Sequence, residues 1–428
     1  NYLPSLSLSS DPNLNRAINK ITMGDGSVKF VEQNLLNTDL TLNLSQNIPW
    51  TGGSLFLETS AQRMDLFSEH KYSWQTSPIM IGYRQSLFGY NSLKWDKRIE
   101  PVRYQEAKKS YVETLELVSA NAINKFFALA TAQSNYDIAS FNYANADTLY
   151  RYAQGRYNIG TITENEMLQL ELNRLTEETN RMNARIEMDN CMQELRSYLG
   201  IQEEREIRVR VSSRIPDFSI NLNEALALAY ENSPDIQTMK RRKLESESAV
   251  ARARANAGLK ADIYLRFGLT QTADKLPEAY RNLLDQQYVS LSISLPILDW
   301  GRGKGQVRVA RSNRDLVYTQ VEQNRTDFEL NVRKLVKQFN LQTQRVRIAA
   351  RTDETAQRRN EVARKLYILG KSTILDLNAS ISEKDSARRN YVSALYNYWS
   401  LYYTLRSMTL YDFESNKLLT EDYNLLIE

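Results

Sequence analysis

Two periods of apolar spacing divide the chain. Between Gly301 and Gly370 apolar residues recur every seven positions, at Val321, Phe328 and Leu335, then Ala349, Ala356 and Ala363. Val332, Phe339 and Val346 form a second row, and Gln342 interrupts the first. The remaining surface is Arg, Gln, Asn and Asp, so the pattern is the narrow seam of a coiled coil. The stretch holds no proline, and no glycine between Gly305 and Gly370. An unbroken helix of that length runs roughly 100 Å, far beyond the usual globular helix.

Elsewhere the period is two. Leu6 and Leu8 alternate with Ser5, Ser7 and Ser9, and Leu40, Leu42, Leu44 and Ile48 with Thr41, Asn43, Ser45 and Asn47. After the turn signal Pro49-Trp50-Thr51-Gly52-Gly53, alternation resumes at Leu55 and Leu57. Ile79, Ile81 and Tyr83 oppose Met80, Gly82 and Arg84. Ile263, Leu265, Phe267 and Leu269 alternate with polar or small residues, as do Val289, Leu291, Ile293 and Leu295 with serines. A soluble sandwich would alternate too. A polar face of Ser, Thr, Arg and Asn suits a water-filled lumen, and Trp50, Tyr72, Trp74, Tyr288 and Trp300 at strand ends resemble an interfacial girdle. Two to four strands in the first part and two in the second are too few to close a barrel, and a barrel leaves no open edge in lipid. Several copies must therefore share one barrel, which predicts a cyclic homo-oligomer.

The helical and strand patterns occur twice. A shift of 210 positions lays Arg156-Tyr157-Asn158-Ile159-Gly160 on Leu366-Tyr367-Ile368-Leu369-Gly370 and Leu87-Phe88-Gly89-Tyr90 on Ile297-Leu298-Asp299-Trp300. The predicted organisation is first-repeat strands at 1–92 with an extra hairpin at 38–66, then a helical hairpin at 93–200. A linker follows at 201–222, a helix continuing the helical wall at 223–258, second-repeat strands at 259–300, a second helical hairpin at 301–412 and a tail at 413–428. Gly200 ends the first return helix, and Ser233-Pro234 opens a helix as N-cap and first-turn proline. The aromatic stripe Tyr391, Tyr396, Tyr398, Trp399, Tyr402 and Tyr403 reads as packing.

Composition narrows the function. The net charge of +4 is too small to argue for nucleic acid, and no run approaches the apolar length of a spanning helix. Lys240 to Lys243, Arg252 and Arg254 are interleaved with Glu245 and Glu247, as on a solvated helix face. Cys191 is alone, so no intrachain disulfide forms, and His70, the only histidine, falls in a loop between strands. Neither a triad nor a metal site can be built on it. Gly301-Arg302-Gly303-Lys304-Gly305 lacks the hydroxyl that follows the lysine of a phosphate loop and reads as a strand-to-helix turn. No enzyme and no cofactor is expected.

With both hairpins in place the chain resembles the outer-membrane efflux protein family, the TolC-like channels. The resemblance rests on Tyr157-Asn158-Ile159-Gly160-Thr161 and Tyr367-Ile368-Leu369-Gly370 at the hairpin tips and on Leu295-Pro296-Ile297-Leu298-Asp299-Trp300-Gly301. Leu222-Asn223-Glu224-Ala225-Leu226-Ala227-Leu228-Ala229, with Asn232-Ser233-Pro234, opens the second repeat. The implied fold is an α+β membrane protein with internal duplication, a long antiparallel α-helical barrel in the periplasm and a β-barrel assembled from strands of several protomers in the outer membrane. The implied assembly is a homotrimer in outer-membrane lipid, working with a periplasmic adaptor (membrane fusion) protein and an inner-membrane RND or ABC transporter. The implied role is a passive exit duct gated at its helical tip. Gate and constriction residues would be Tyr367, Asp376 and Glu166, and the adaptor would touch Tyr157, Gly160, Thr161, Gly370 and Lys371. The second acidic ring position is Ala379 and the gate arginine position Ser372, so both features are reduced here. The alternative is a soluble, duplicated coiled-coil structural or adhesive protein. The duplication also places a counterpart of residues 222–257 before Asn1, so a native N-terminal helix is expected upstream.

Overall fold

The computed structural model describes residues 3–24, 26–67, 69–203, 206–369 and 371–419. Two compact units emerge, one of Asn1–Tyr104 with Met239–Glu322, the other of Gln105–Thr238 with Gln323–Glu428. The first holds the sheet: β1 Ser5–Ser9, β2 Asn13–Thr22, β3 Val28–Ile48, β4 Gly53–Leu66, β5 Lys71–Ser86, β6 Lys260–Ala273 and β7 Leu284–Ser294. The helices are α1 Ser92–Asn158, α2 Glu164–Tyr198, α3 Leu222–Asn232, α4 Pro234–Ala257, α5 Arg302–Ile368 and α6 Ile374–Thr409. A short two-stranded pair, β8 Tyr411–Asp412 and β9 Lys417–Leu418, follows α6.

The duplication is visible to the residue. α1 and α5 each have 67 residues, and Arg302 and Ile368 lie 210 positions after Ser92 and Asn158. Each starts on a side-chain cap. Asn91 Oδ1 accepts from the Lys94 amide at 2.9 Å, and Asp299 accepts from the Gly301 and Gly303 amides at 2.9 and 2.8 Å. The Asp299 carboxylate thus occupies the amides that a phosphate would use, so the glycine-rich run is the turn its sequence suggested.

The sheet is wholly antiparallel, in the order β1–β3–β4–β5–β6–β7, with β2 also on β3. It is wider than the strand patterns predicted. β2 and the first half of β3 were not anticipated, because Asn15, Arg16, Asn19 and Lys20 blur the alternation there. β1 and β2 are one interrupted strand. Ser5 pairs with Ser45 and Thr22 with Val28 in a single continuous register along β3, broken at Ser10–Pro12. Pro12 has no amide to donate to the ladder.

The seam of α5 is buried at Val321 in the first unit and at Phe328, Val332, Val336, Phe339 and Val346 in the second. Nearer the tip the heptad continues not on Ala349, Ala356 and Ala363, as the sequence reading had it, but on Asp353 and Asn360. The three alanines are half-buried beside the seam. Asp353 accepts from Arg388, and Asn360 donates to Ser380 across to α6. Gln342 sits in the seam too, donating to the Ala394 carbonyl at 3.0 Å, so a buried amide is satisfied rather than interrupting the packing. The aromatic stripe is core: Tyr398 and Tyr402 are buried around Phe339, with ring centroids 5.2 and 6.0 Å away.

Residues 206–221 form no helix or strand but are tied down. Ile207 and Val209 pack on Leu129, Ala132, Met188 and Leu195, the Tyr398 hydroxyl donates to the Pro216 carbonyl, and Asn340 bonds both the amide and the carbonyl of Ile220.

Candidate functional site: two sheet faces and two hairpin tips

The pairing register puts every second residue of each strand on one face. One face carries Leu6, Leu8, Leu42, Leu44, Leu55, Leu57, Ile79, Ile81, Phe267, Val289 and Leu291. All are exposed, from 39% for Leu42 to 67% for Leu6 and Val289. A contiguous bare aliphatic surface across six strand positions is far beyond what a soluble monomer shows and has the character of a lipid-facing band. The other face carries Ser5, Ser7, Asn43, Ser45, Glu58, Arg84, Arg266, Ser290 and Ser292. Arg266 pairs with Glu58 at 3.3 Å, Arg84 lies over the Tyr264 ring at 5.4 Å, and Phe56 stacks on Tyr264. The Phe56 ring fills the space above Gly82, where a Cβ would sit 2.0 Å from its Cζ.

Aromatics gather at both ends of the sheet. Trp50 and Trp300 are almost fully exposed at the end where β5 and β7 lead to α1 and α5. Tyr72 and Trp74 lie at the other end, stacked with Arg63. Tyr288 departs from the girdle expectation. It stands on the polar face against Tyr264, with centroids 5.8 Å apart, because its partner in the register is Arg266.

The two hairpin tips close by the same device. Thr163 and Thr373 are N-caps with nearly equal backbone angles, and each forms a capping box with the acidic residue three positions on. Glu166 accepts from the Thr163 amide at 3.0 Å, and Asp376 from the Thr373 hydroxyl at 2.7 Å and the Ser372 hydroxyl at 3.3 Å. The bonds from Thr373, then Ser372, hold the Asp376 carboxyl below its usual pKa. Gly160 has φ 74° in the first turn, where Thr161 bonds back to the Arg156 carbonyl. Gly370, its counterpart, lies outside the described residues.

The predicted tip residues are therefore placed as follows. Glu166 and Asp376 each turn back on their own helix. Tyr367 is half-buried and lines a cavity of about 220 Å³ with Tyr152, Leu149, Arg364, Leu377 and Ile381. Burial pushes the Tyr367 hydroxyl pKa up, opposed by the Arg156 charge and aided by that of Glu166. Among the described residues no hydrogen bond joins Tyr367 to Glu166. Tyr157, Thr161 and Lys371 are exposed, as are the apolar side chains of Ile159, Leu369 and Leu375, which the sequence reading had not singled out.

Nothing in these sites resembles a reaction centre. Among the described residues no group of His, Cys, Asp and Glu could hold a metal ion. In the basic run of α4, Arg241 pairs with Glu245 and Lys243 with Glu322. Among the described residues no helix is long and apolar enough to cross a membrane.

Long helical hairpins joined to an antiparallel sheet with one bare aliphatic face define an internally duplicated α+β fold. Residues 225–409 match the model of the family described as outer membrane efflux protein, so the resemblance to that family holds on the sequence of the second repeat. The fold agrees over the whole chain. The Campylobacter jejuni CmeC outer membrane channel is similar at a TM-score of 0.68 and 16% identity, over 100% of this chain and 80% of that one. The outer membrane protein VceC of Vibrio cholerae is similar at 0.63 and 14%, over 95% and 87%. The open state of the Neisseria gonorrhoeae MtrE outer membrane channel is similar at 0.63 and 13%, over 86% and 81%. No curated protein matches the sequence.

Proposed function

We propose that this outer-membrane efflux channel is the exit duct of a tripartite export system, a passive homotrimeric conduit gated at its helical tip. The observation that carries the reading is what one copy leaves bare. Besides the aliphatic sheet face, α2 exposes Leu168, Leu175 and Met182 at a spacing of seven, with Leu172 and Ile186 beside them. α5 exposes Leu341, Ile348 and Val362 in another heptad row. Within the chain α1 packs on both α2 and α6, whereas α2 and α5 are the outer helices, each with an unfilled seam. Heptad seams of this kind are filled by another helix, and further copies of the chain supply it in a closed ring.

In this reading Ile159, Leu369 and Leu375, with Tyr157, Gly160, Thr161, Gly370 and Lys371, meet a periplasmic adaptor. An inner-membrane transporter of the RND or ABC class supplies the energy. Tyr367 and Glu166 form a latch by a modest movement of Glu166 from its cap, and Asp376 contributes a ring of carboxylates that concentrates cations. Planar-bilayer recording tests this. The trimer should conduct weakly, Tyr367→Phe with Glu166→Gln should raise single-channel conductance in part, and Asp376→Asn should reduce cation preference. Absence of any conductance would contradict the duct, and unchanged conductance and selectivity in the variants would move the gate elsewhere.

A further inference from the structure

The cavity near the tips lies between the two hairpins rather than within either. Leu149 and Tyr152 of α1 form one wall, and Asn360 and Tyr367 of α5 with Leu377 and Ile381 of α6 form the other. Further from the tips the hairpins are knitted by polar contacts. Asn142 donates to Asp385 at 2.7 Å, and the Lys384 ammonium lies 4.4 Å from the centre of the Phe141 ring. Among the described residues no hydrogen bond or ion pair joins α1 to α5 or α6 beyond Asn142. Contact between the hairpins is apolar there, and it is incomplete. Packed interiors leave few voids larger than a water molecule, whereas this interface leaves about 220 Å³. An apolar cavity of about 150 Å³ stays dry and binds benzene.

A neighbouring copy does not fill this space. Asn360, Arg364 and Tyr367 lie on one side of α5, and Val362, with the bare row of Leu341 and Ile348, lies on the other. The lining therefore sets what enters. Leu149, Leu377 and Ile381 are aliphatic, and Tyr152 and Tyr367 add rings. Asn360 is the buried polar side chain in the lining, 6% exposed. Its amide nitrogen donates to Ser380 Oγ at 3.0 Å, and its Oδ1 has no donor among the described residues. Arg364, the charged group in the lining, is exposed to solvent. The interior thus offers one neutral acceptor and no buried charge.

We propose that this cavity is a binding site for a small neutral phenol, a single ring with one or two short alkyl groups. The ring fills the void between Leu149 and Ile381, and the hydroxyl donates to Asn360 Oδ1. A carboxylate in place of the hydroxyl would lose its water beside no buried cation, so aromatic acids are excluded. The bound molecule touches both hairpins at once and holds α5 and α6 against α1, which keeps the duct shut. That consequence rests on the tip gate proposed above, whereas the site itself does not.

Thiol protection reads the site directly. In a Cys191→Ser background, Ile381→Cys places a thiol in the cavity wall, and Glu361→Cys places one on the exposed surface of α5 outside it. At a concentration about four times its dissociation constant, para-ethylphenol should slow labelling of Ile381→Cys by a methanethiosulfonate about fivefold. Glu361→Cys should label at an unchanged rate, and para-ethylbenzoate should protect neither thiol. Leu149→Phe and Leu149→Trp fill the space from α1, and each should abolish the protection of Ile381→Cys. In planar bilayers the phenol should lower the conductance of the native protein and leave that of Leu149→Phe as it was. No protection of Ile381→Cys, or equal protection of both thiols, would overturn the site whatever the protein conducts. Equal protection by the benzoate would refute the role given to Asn360. Protection with unaltered conductance would break the link to the gate. Protection in a protein that never conducts would contradict the duct and not the site.

Discussion

The two helical hairpins share one backbone plan and differ in what fills it. In the first, Tyr136, Tyr143 and Tyr150 follow one another at heptad spacing on α1, and Arg185, Arg181 and Arg174 of α2 stack on them, the closest at 4.1 Å. The equivalent places in the second hold Val346, Asp353 and Asn360, with Arg388 and Ser380 opposite the last two. The first interface is thus built from large amphipathic rings whose cationic partners remain half in water. The second has smaller side chains and depends on buried polar groups that must stay paired. Equal helix lengths and equal caps show that the scaffold tolerates either filling. The duplicated pattern is therefore one of spacing and end chemistry rather than of side-chain identity.

Breaking the second hairpin should have the larger effect. Asp353 is buried, and Arg388→Ala removes the cation that pairs with its carboxylate at 3.1 Å. A loss of about 1–3 kcal/mol is expected, toward the lower end because Arg388 is itself half-exposed. Arg181→Ala in the first hairpin removes one ring–cation contact and should lower stability by about 0.5–1 kcal/mol. Thermal melts of the assembled protein should rank the two variants in that order, and the reverse order would refute the contrast between the fillings.

The tips should separate more finely. The Asp376 carboxyl is held below its usual pKa by the capping hydroxyls and amide. Such a group stabilises the folded turn above the unfolded carboxylate pKa of about 4, and the contribution is lost as pH falls through the lower folded value. Protease sensitivity around Lys371–Asp376 should rise below about pH 4 in the native protein. It should be insensitive to pH in Asp376→Asn. The same acid response in both proteins would show that the cap is not what titrates.

Much of this was legible in the sequence because duplication and period are robust signals. The helix of 301–370, the tip turns and the β6 and β7 strands follow from spacing alone. The full width of the sheet was not, since β2 alternates poorly and half of β3 exists only because β2 pairs with it. The alanine row misled for a related reason. A heptad of alanines beside one of Asp353 and Asn360 looks apolar and polar, respectively, until Arg388 and Ser380 are seen to satisfy the second row. The capping role of Glu166 and Asp376 was also hidden, although Thr-x-x-Glu and Thr-x-x-Asp at 163–166 and 373–376 are its signature. The family resemblance assigns those carboxylates to a gate, whereas their hydrogen-bond partners here are local.

The central claim is that neighbouring copies fill what one chain leaves bare, and the comparison of repeats fixes where. Inside the chain Asn142 of α1 donates to Asp385 of α6 at 2.7 Å. Moved by the repeat offset, that contact becomes Thr352 of α5 against Leu175 of α2 in the next copy. Oxidation of Thr352→Cys with Leu175→Cys in a Cys191→Ser background measures it directly. Covalent trimers, absent when Leu175→Cys is replaced by Met182→Cys two turns away, are the expected result. A protein that stays monomeric under oxidation, or cross-links equally with both partners, would contradict the account.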